Sequence, residues 1–269
     1  MNFNAFCIVY DKIQKMVLLP LKKLARKTLI IAHRGASGYA PENTLASFEY
    51  ALKLKAQMIE LDIQLSSDDH WIVMHDATLK RTCGLSKKVS LTPLSTLKTL
   101  DAGSWFSKDY SEERIMTIEE LLSWARNKIS LNIEIKGKLK KGSNSLLTLL
   151  KIIDDYKMTK NVILSCFNWN VLREIRLFNR TLPVGLLVNR QPEFIFLAKA
   201  IDLKAFSIHL PKHKMRAELG KKIHQRDMKV YLYTLNQLND IRKYLKMGVD
   251  GVFTNYPDLL SAKLVEEIS

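Results

Sequence analysis

From residue 29 onward the chain alternates between two patterns, and this alternation limits its fold more than any other feature. Short apolar runs rich in β-branched residues occupy 29–33, 58–64, 71–75, 131–135, 162–166, 183–188, 205–208, 229–233 and 250–253. Helical periodicity lies between most of them. Leu45, Phe48 and Leu52 share a face in 44–54, and Ile118, Leu121, Leu122 and Ala125 share one in 118–126. Thr117 and Glu120 are spaced as a capping box at the start of the latter. Leu146, Leu149, Leu150 and Ile153 mark 146–156, and Leu238, Ile241 and Leu245 mark 237–247, with Gly248 as a stop. Repeated strand–helix units predict a (β/α)8 barrel of the TIM type, with a doubly wound open sheet as the second choice.

Nine strands are one too many for that barrel. Only "SSDDH" lies between 58–65 and 71–75, too short for a parallel crossover, so these two form a hairpin. One belongs to the wall and the other leans on it, leaving eight. If Asp68 and Asp69 make a two-residue turn, paired residue numbers sum to 137 and Asp62 lies opposite His75.

The 269 residues accommodate one such barrel. The net charge of +15 favours anionic partners: phosphate esters, anionic lipid surfaces or nucleic acid. No helix–turn–helix, zinc finger, Walker loop or dinucleotide fingerprint is present, and no nucleic-acid partner is expected. No apolar run approaches the ~18 residues of a spanning helix. Cys7, Cys83 and Cys166 are scattered, as free thiols of a reducing compartment would be, which points to the cytoplasm. Residues 1–28 stand apart as an N-terminal extension. Phe3, Phe6, Tyr10, Ile13, Val17, Leu21 and Leu24 recur at helical steps, and six basic residues against one acid give the segment +5. Such a stretch either lies on an anionic membrane surface, placing the protein peripherally there, or straps the domain. Met16 offers an alternative start within it.

Chemistry concentrates at the strand ends. The first strand ends on His33-Arg34-Gly35, the second contains Glu60-Leu61-Asp62, the third ends on His75-Asp76 and the fourth contains Glu134-Ile135-Lys136. Barrel enzymes build their sites where strands run into the following loops. Strand residues two apart face the same side, so Glu60 points with Asp62 and Glu134 with Lys136, while Leu61 and Ile135 face the helices. Three converging carboxylates suit a hard divalent cation, Ca²⁺ or Mg²⁺; without one, their repulsion drives protonation. His70, His209, His213 and His224 lack this placement and are expected at the surface.

The runs HRGASGYAPENT, ELDIQLSSDDHWIVMHD, DAGSWF, NIEIKG and GVDGVFTNYPD, in this order over residues 29 to 260, resemble the glycerophosphodiester phosphodiesterases. The resemblance implies a barrel over 29–269 that hydrolyses a glycerophosphodiester to glycerol 3-phosphate and an alcohol. It implies a divalent cation on Glu60, Asp62 and Glu134, with His33 and His75 as the acid–base pair and Arg34 and Lys136 at the phosphate. It implies that about 77–116 is a small insertion over the site. Glu42 is expected to partner Arg34 or the metal site, and Asn43 to cap the first helix or bind. Phe167, Trp105 and Phe106 are candidates for an apolar wall. The chain departs from the family's usual residues at Asp69 (Gly), Tyr233 (Trp), Cys166 (Ser) and Asn255 (Asp). Two alternatives remain at this stage: a lysophospholipase D docked on membranes by residues 1–28, and a non-catalytic phospholipid- or nucleic-acid-binding barrel, against which the intact histidine and carboxylate set argues.

Overall fold

The computed structural model describes residues 28–137, 139 and 144–260. Residues 1–27 fall outside that range, and with them all but the last residue of the predicted extension.

Eight parallel strands close on themselves. They are β1 (Leu29–His33), β2 (Met58–Leu65), β4 (Ser130–Ile135), β5 (Val162–Cys166), β6 (Val184–Leu187), β7 (Ser207–Pro211), β8 (Lys229–Tyr233) and β9 (Gly251–Thr254). The order runs β1-β9-β8-β7-β6-β5-β4-β2, and β1 pairs with β2 to shut the ring. The short β3 (Trp71–Val73) hangs antiparallel on the far half of β2. Helix α1 (Leu45–Lys53) links β1 to β2. The short α2 (Lys80–Cys83) and α3 (Leu94–Leu97), then α4 (Ile118–Ala125), lie between β3 and β4. The remaining crossovers carry α5 (Ser145–Asp155), α6 (Trp169–Phe178), α7 (Glu193–Asp202), α8 (Ala217–His224) and α9 (Leu238–Leu245). This is the TIM barrel that the alternation predicts.

Strand parity sorts the core into shells. Ile30, Ala32, Ile59, Leu61, Ile63, Leu131, Ile133 and Ile135 pack outward against helical residues such as Leu121, Leu149 and Leu172. The opposite parity places Leu29, Ile31, Met58, Ile163, Tyr231 and Phe253 in a second, separate cluster within the barrel. Further along the same strands that parity yields His33, Glu60, Asp62 and Glu134. An apolar plug therefore fills the N-terminal end of the barrel and excludes water from beneath a charged layer at its C-terminal end. A third cluster packs Leu79, Val89, Leu97 and Ile115 of the 77–116 segment against Ile72 and Met74.

Two expectations fail here. The hairpin register is Ile63↔Val73, Gln64↔Ile72 and Leu65↔Trp71, a sum of 136 and not 137. The Ser66 amide donates to the His70 carbonyl at 2.9 Å, so three residues form the loop, with Asp69 left-handed at φ 61°. A left-handed residue at the end of a three-residue loop is what this longer turn requires. Asp62 consequently faces Met74, whose amide donates to the Asp62 carbonyl at 2.9 Å, and His75 lies beyond the strand. His209 is not a surface residue. It is fully buried on β7, stacked on Tyr231 with ring centroids 5.2 Å apart, and its Nε2 bonds Ser207 Oγ at 2.8 Å. As a pattern, its single imidazole in an apolar run could not be told from an exposed one. His70, His213 and His224 are exposed as expected.

Candidate active site

The first strand ends in two successive left-handed residues, Arg34 at φ 56° and Gly35 at φ 82°. A Cβ at Gly35 would stand 2.3 Å from Ser47 Oγ, so glycine alone fits against α1. The turn aims the Arg34 amide at Glu60 Oε2, 2.9 Å away, and its side chain at Glu42 Oε1, 2.8 Å away. Of the two partners expected for Glu42, Arg34 is the one it bonds. Asn43 does not cap α1: Thr44 does, through its hydroxyl. Asn43, also left-handed, instead donates Nδ2 to Asp62 Oδ2 at 2.9 Å and accepts the Asp62 amide at 3.3 Å.

Glu60 and Asp62 lie two apart on β2, and Glu134 is the register partner of Asp62 on β4. All three are buried, and their ligand oxygens lie within 4.8 Å of one another. Burial, then repulsion from Asp62 and Glu134, raises Glu60 well above the usual carboxylate range. Burial and Asp62 likewise raise Glu134 to about 7, against the pull of Lys136. Burial also works to raise Asp62, but the charges of Lys136 and Arg34 outweigh it and hold that carboxyl low. Lys136 Nζ is 3.3 Å from Asp62 Oδ1, and Arg34 Nε is 3.4 Å from Asp62 Oδ2. A buried all-oxygen donor set whose members push one another toward protonation fits a divalent cation.

His33 and His75 open onto one pocket of about 250 Å³, shared with Arg34, Glu60, Glu134, Lys136 and Phe167. His33 Nδ1 bonds Asn255 Oδ1 at 2.7 Å, and its Nε2 is 3.9 Å from Glu60 Oε2. Burial, reinforced by Arg34, holds His33 down at about 4, so it is neutral. His75 Nδ1 bonds Asp76 Oδ1 at 2.7 Å. Because an amide oxygen and a carboxylate can only accept, each ring donates from Nδ1 and turns Nε2 to the pocket. Phe167 is half-exposed at the mouth, edge-on to Tyr233 and 5.9 Å from Lys136 Nζ. Trp105 and Phe106 lie on the insertion and do not line this pocket.

The pattern reading missed several contributors. Asn132, two residues before Glu134, lines the pocket floor and donates to Ser165 Oγ at 3.0 Å. Its period-two spacing with Glu134 was a usable signal. Asp76 and Asn255, the residues that hold the two rings, stand inside the quoted runs, but nothing in the pattern assigned them to the rings. Arg81, on α2, carried no signal at all.

The model of the "Glycerophosphoryl diester phosphodiesterase family" matches residues 33–259. A glycerophosphodiester phosphodiesterase of Caldanaerobacter subterraneus subsp. tengcongensis is 36% identical over 238 residues, covering 87% of this chain and 96% of the relative. One of Bacillus subtilis is 34% identical over 249 residues, covering 87% and 85%. Among solved structures, an Oleispira antarctica phosphodiesterase in complex with the product sn-glycerol-3-phosphate superposes with a TM-score of 0.81 at 28% identity, covering 90% of this chain and 97% of that one. The Thermotoga maritima glycerophosphodiester phosphodiesterase gives 0.72 at 28% identity, covering 86% and 96%.

Proposed function

The chain belongs to the glycerophosphoryl diester phosphodiesterase family, and from that premise we propose that it hydrolyses glycerophosphodiesters to sn-glycerol 3-phosphate and an alcohol with a divalent cation. The observation that supports this most is the convergence of a buried Glu60–Asp62–Glu134 cluster, two imidazoles and two cationic side chains on one pocket. Glu60, Asp62 and Glu134 would hold the cation, Ca²⁺ or Mg²⁺, which supplies polarisation of the phosphoryl group and acidification of a bound hydroxyl. Arg34 and Lys136 bind the non-bridging oxygens and offset the charge that repels an attacking oxygen. His33, neutral and held by an uncharged amide, accepts the proton of the attacking hydroxyl at Nε2. His75, oriented by the Asp76 carboxylate, delivers a proton from Nε2 to the leaving alkoxide. The attacking oxygen is water or the substrate's own vicinal hydroxyl; the internal hydroxyl has the proximity advantage and gives a cyclic phosphate that water then opens.

The test is release of glycerol 3-phosphate from a panel of diesters before and after chelation, with Ca²⁺ or Mg²⁺ added back. Chelation is expected to abolish turnover and one of the two ions to restore it. His33→Ala and His75→Ala should each remove activity while leaving the thermal midpoint in place. Full activity in either variant overturns the assignment.

A second reading concerns the substrate's alcohol. Trp105, Phe106 and Phe167 are each more than a third exposed, and residues 1–28 carry +5. Exposed aromatics and a basic amphipathic sequence in one chain favour contact with an anionic membrane and hydrolysis of lysophospholipids there. Among the described residues no helix is long and apolar enough to cross a membrane. Glycerophosphocholine and lysophosphatidylcholine, compared with and without residues 1–28, decide it: neglect of the lipid by both forms ends this reading.

A further inference from the structure

Arg81 stands on the four-residue helix α2 of the insertion, and its guanidinium meets two carboxylates at once. Nε and Nη2 donate to Asp76 Oδ2 and Oδ1 at 2.7 and 3.0 Å. Nη1 and Nη2 donate to Glu42 Oε2 and Oε1, both at 2.8 Å. Each carboxylate in turn holds one group of the pocket. Asp76 Oδ1 accepts from His75 Nδ1 at 2.7 Å, and Glu42 Oε1 accepts from Arg34 Nη1 at 2.8 Å. One cation therefore joins two short chains, one ending at an imidazole and the other at the guanidinium that faces the phosphate. From the far part of the insertion Trp105 lays its ring over the Arg81 guanidinium, 5.5 Å from its centroid, and is itself pinned by Nε1 donating to the Ala102 carbonyl at 2.9 Å.

A single exposed ion pair would do little, because freezing two flexible side chains cancels a screened attraction. This arrangement differs in geometry: the planar fork is bidentate toward both acids, and the indole holds it in plane. The charge balance agrees. The hydrogen bond from Arg81 is the largest influence that depresses Asp76, to about 2. Burial works to raise Glu42, yet the bonds and charges of Arg81 and Arg34 keep it below its ordinary value. Without Arg81, Asp76 is free to turn away from His75. Glu42 is left with Arg34 alone, and Arg34 is then drawn further between Glu42 and Asp62.

We infer that Arg81 is a positioning residue that sets His75 and Arg34 relative to each other, so that the insertion, and not the barrel wall alone, fixes the working geometry of the pocket. The inference rests on the phosphodiesterase reading for the roles of the two groups that it holds. Partners of this kind, one step removed from the reacting groups, are typically worth about 10- to 100-fold. Kinetics with glycerophosphocholine, thermal midpoints and inorganic phosphate affinity by calorimetry are measured for the wild type, Asp76→Asn, Glu42→Gln, Arg81→Ala and Arg81→Lys. Asp76→Asn should lower kcat about 10- to 100-fold with little change in KM, and Glu42→Gln should raise KM and weaken phosphate by about tenfold. Arg81→Ala should do both, gain nothing further when combined with Asp76→Asn, and recover in low concentrations of guanidinium ion. Arg81→Lys, a point donor, should restore at most one of the two effects. Arg81→Ala with kcat, KM and phosphate affinity within about twofold of wild type overturns the inference. So does a loss that follows a lowered thermal midpoint and is rescued by neither guanidinium nor lysine. A wild-type chain inactive on the diester overturns the functional reading alone, and the phosphate affinities then still decide the role of Arg81.

Discussion

The two imidazoles of the pocket are chemically alike and differ only in what stands behind them. His33 is backed by the Asn255 amide, His75 by the Asp76 carboxylate. Each partner accepts from Nδ1, so both rings are oriented with Nε2 left for the pocket. Asn43 would play a parallel supporting part at the proposed cation site. Both ends of its carboxamide engage Asp62, one on the side chain and one on the backbone. Asn43→Ala should lower cation affinity about 10- to 100-fold while leaving kcat near wild type at saturating metal. Activity titrated against Mg²⁺ or Ca²⁺ checks this, and an unchanged midpoint would remove Asn43 from the site. Glu60, Asp62 and Glu134 were legible as a set because strand parity is printed in the sequence. The pairing of Asn43 with Asp62 was not, because the left-handed turn that brings them together leaves no periodic trace.

At the scale of elements, turns decide where the site residues point. The hairpin shows how little separates a right register from a wrong one: a third loop residue moves Asp62 from opposite His75 to opposite Met74. Sequence shows that a hairpin must exist, since five residues cannot hold a crossover, but loop conformation selects the register. The turn after β1 is more demanding. Gly35→Ala would place a methyl against Ser47 in a left-handed residue, adding backbone strain to overpacking, for a combined loss of roughly 2–4 kcal/mol. The thermal midpoint should fall accordingly, and KM should rise because Arg34 is displaced. A variant as stable as wild type would show that α1 can yield. The helices between β5 and β8 were the least visible elements. α6 leaves Leu177 and Phe178 exposed beside its buried Val171, Leu172 and Ile175, and α7 exposes Phe194 and Ile201. Neither presents the clean stripe that marks α4.

For the molecule as a whole, a buried imidazole couples the fold to pH. Burial pushes His209 from an ordinary 6.5 down to about 3, and its Nδ1 has no hydrogen-bond partner among the described residues. In the unfolded chain the ring takes a proton as pH falls below its ordinary value; in the folded barrel it does not until near 3. The unfolded state therefore binds more protons across that window, and stability falls as pH is lowered through it. His33 acts in the same direction down to about 4. Glu60 and Glu134, with their raised carboxyls, act in the opposite direction over part of this range, so the test is the difference: from about pH 7 to about pH 4 the denaturant midpoint should lose less in His209→Gln than in wild type. An equal slope in that variant would exclude His209 as a source.

By itself the sequence determined which residues form strands, which side of each strand faces the helices, and which acids and imidazoles arrive at strand ends. All of these are local periodicities, encoded within a few residues of one another. Only the tertiary structure decided which groups meet. His33 and Asn255 lie 222 residues apart and come together because β1 closes the barrel between β9 and β2. Arg81 reaches Glu42 across 39 residues because the segment between β3 and α4, packed around Ile72, Met74 and Leu79, brings α2 against it. Contacts of that span follow from ring closure and packing, and no repeat in the chain records them.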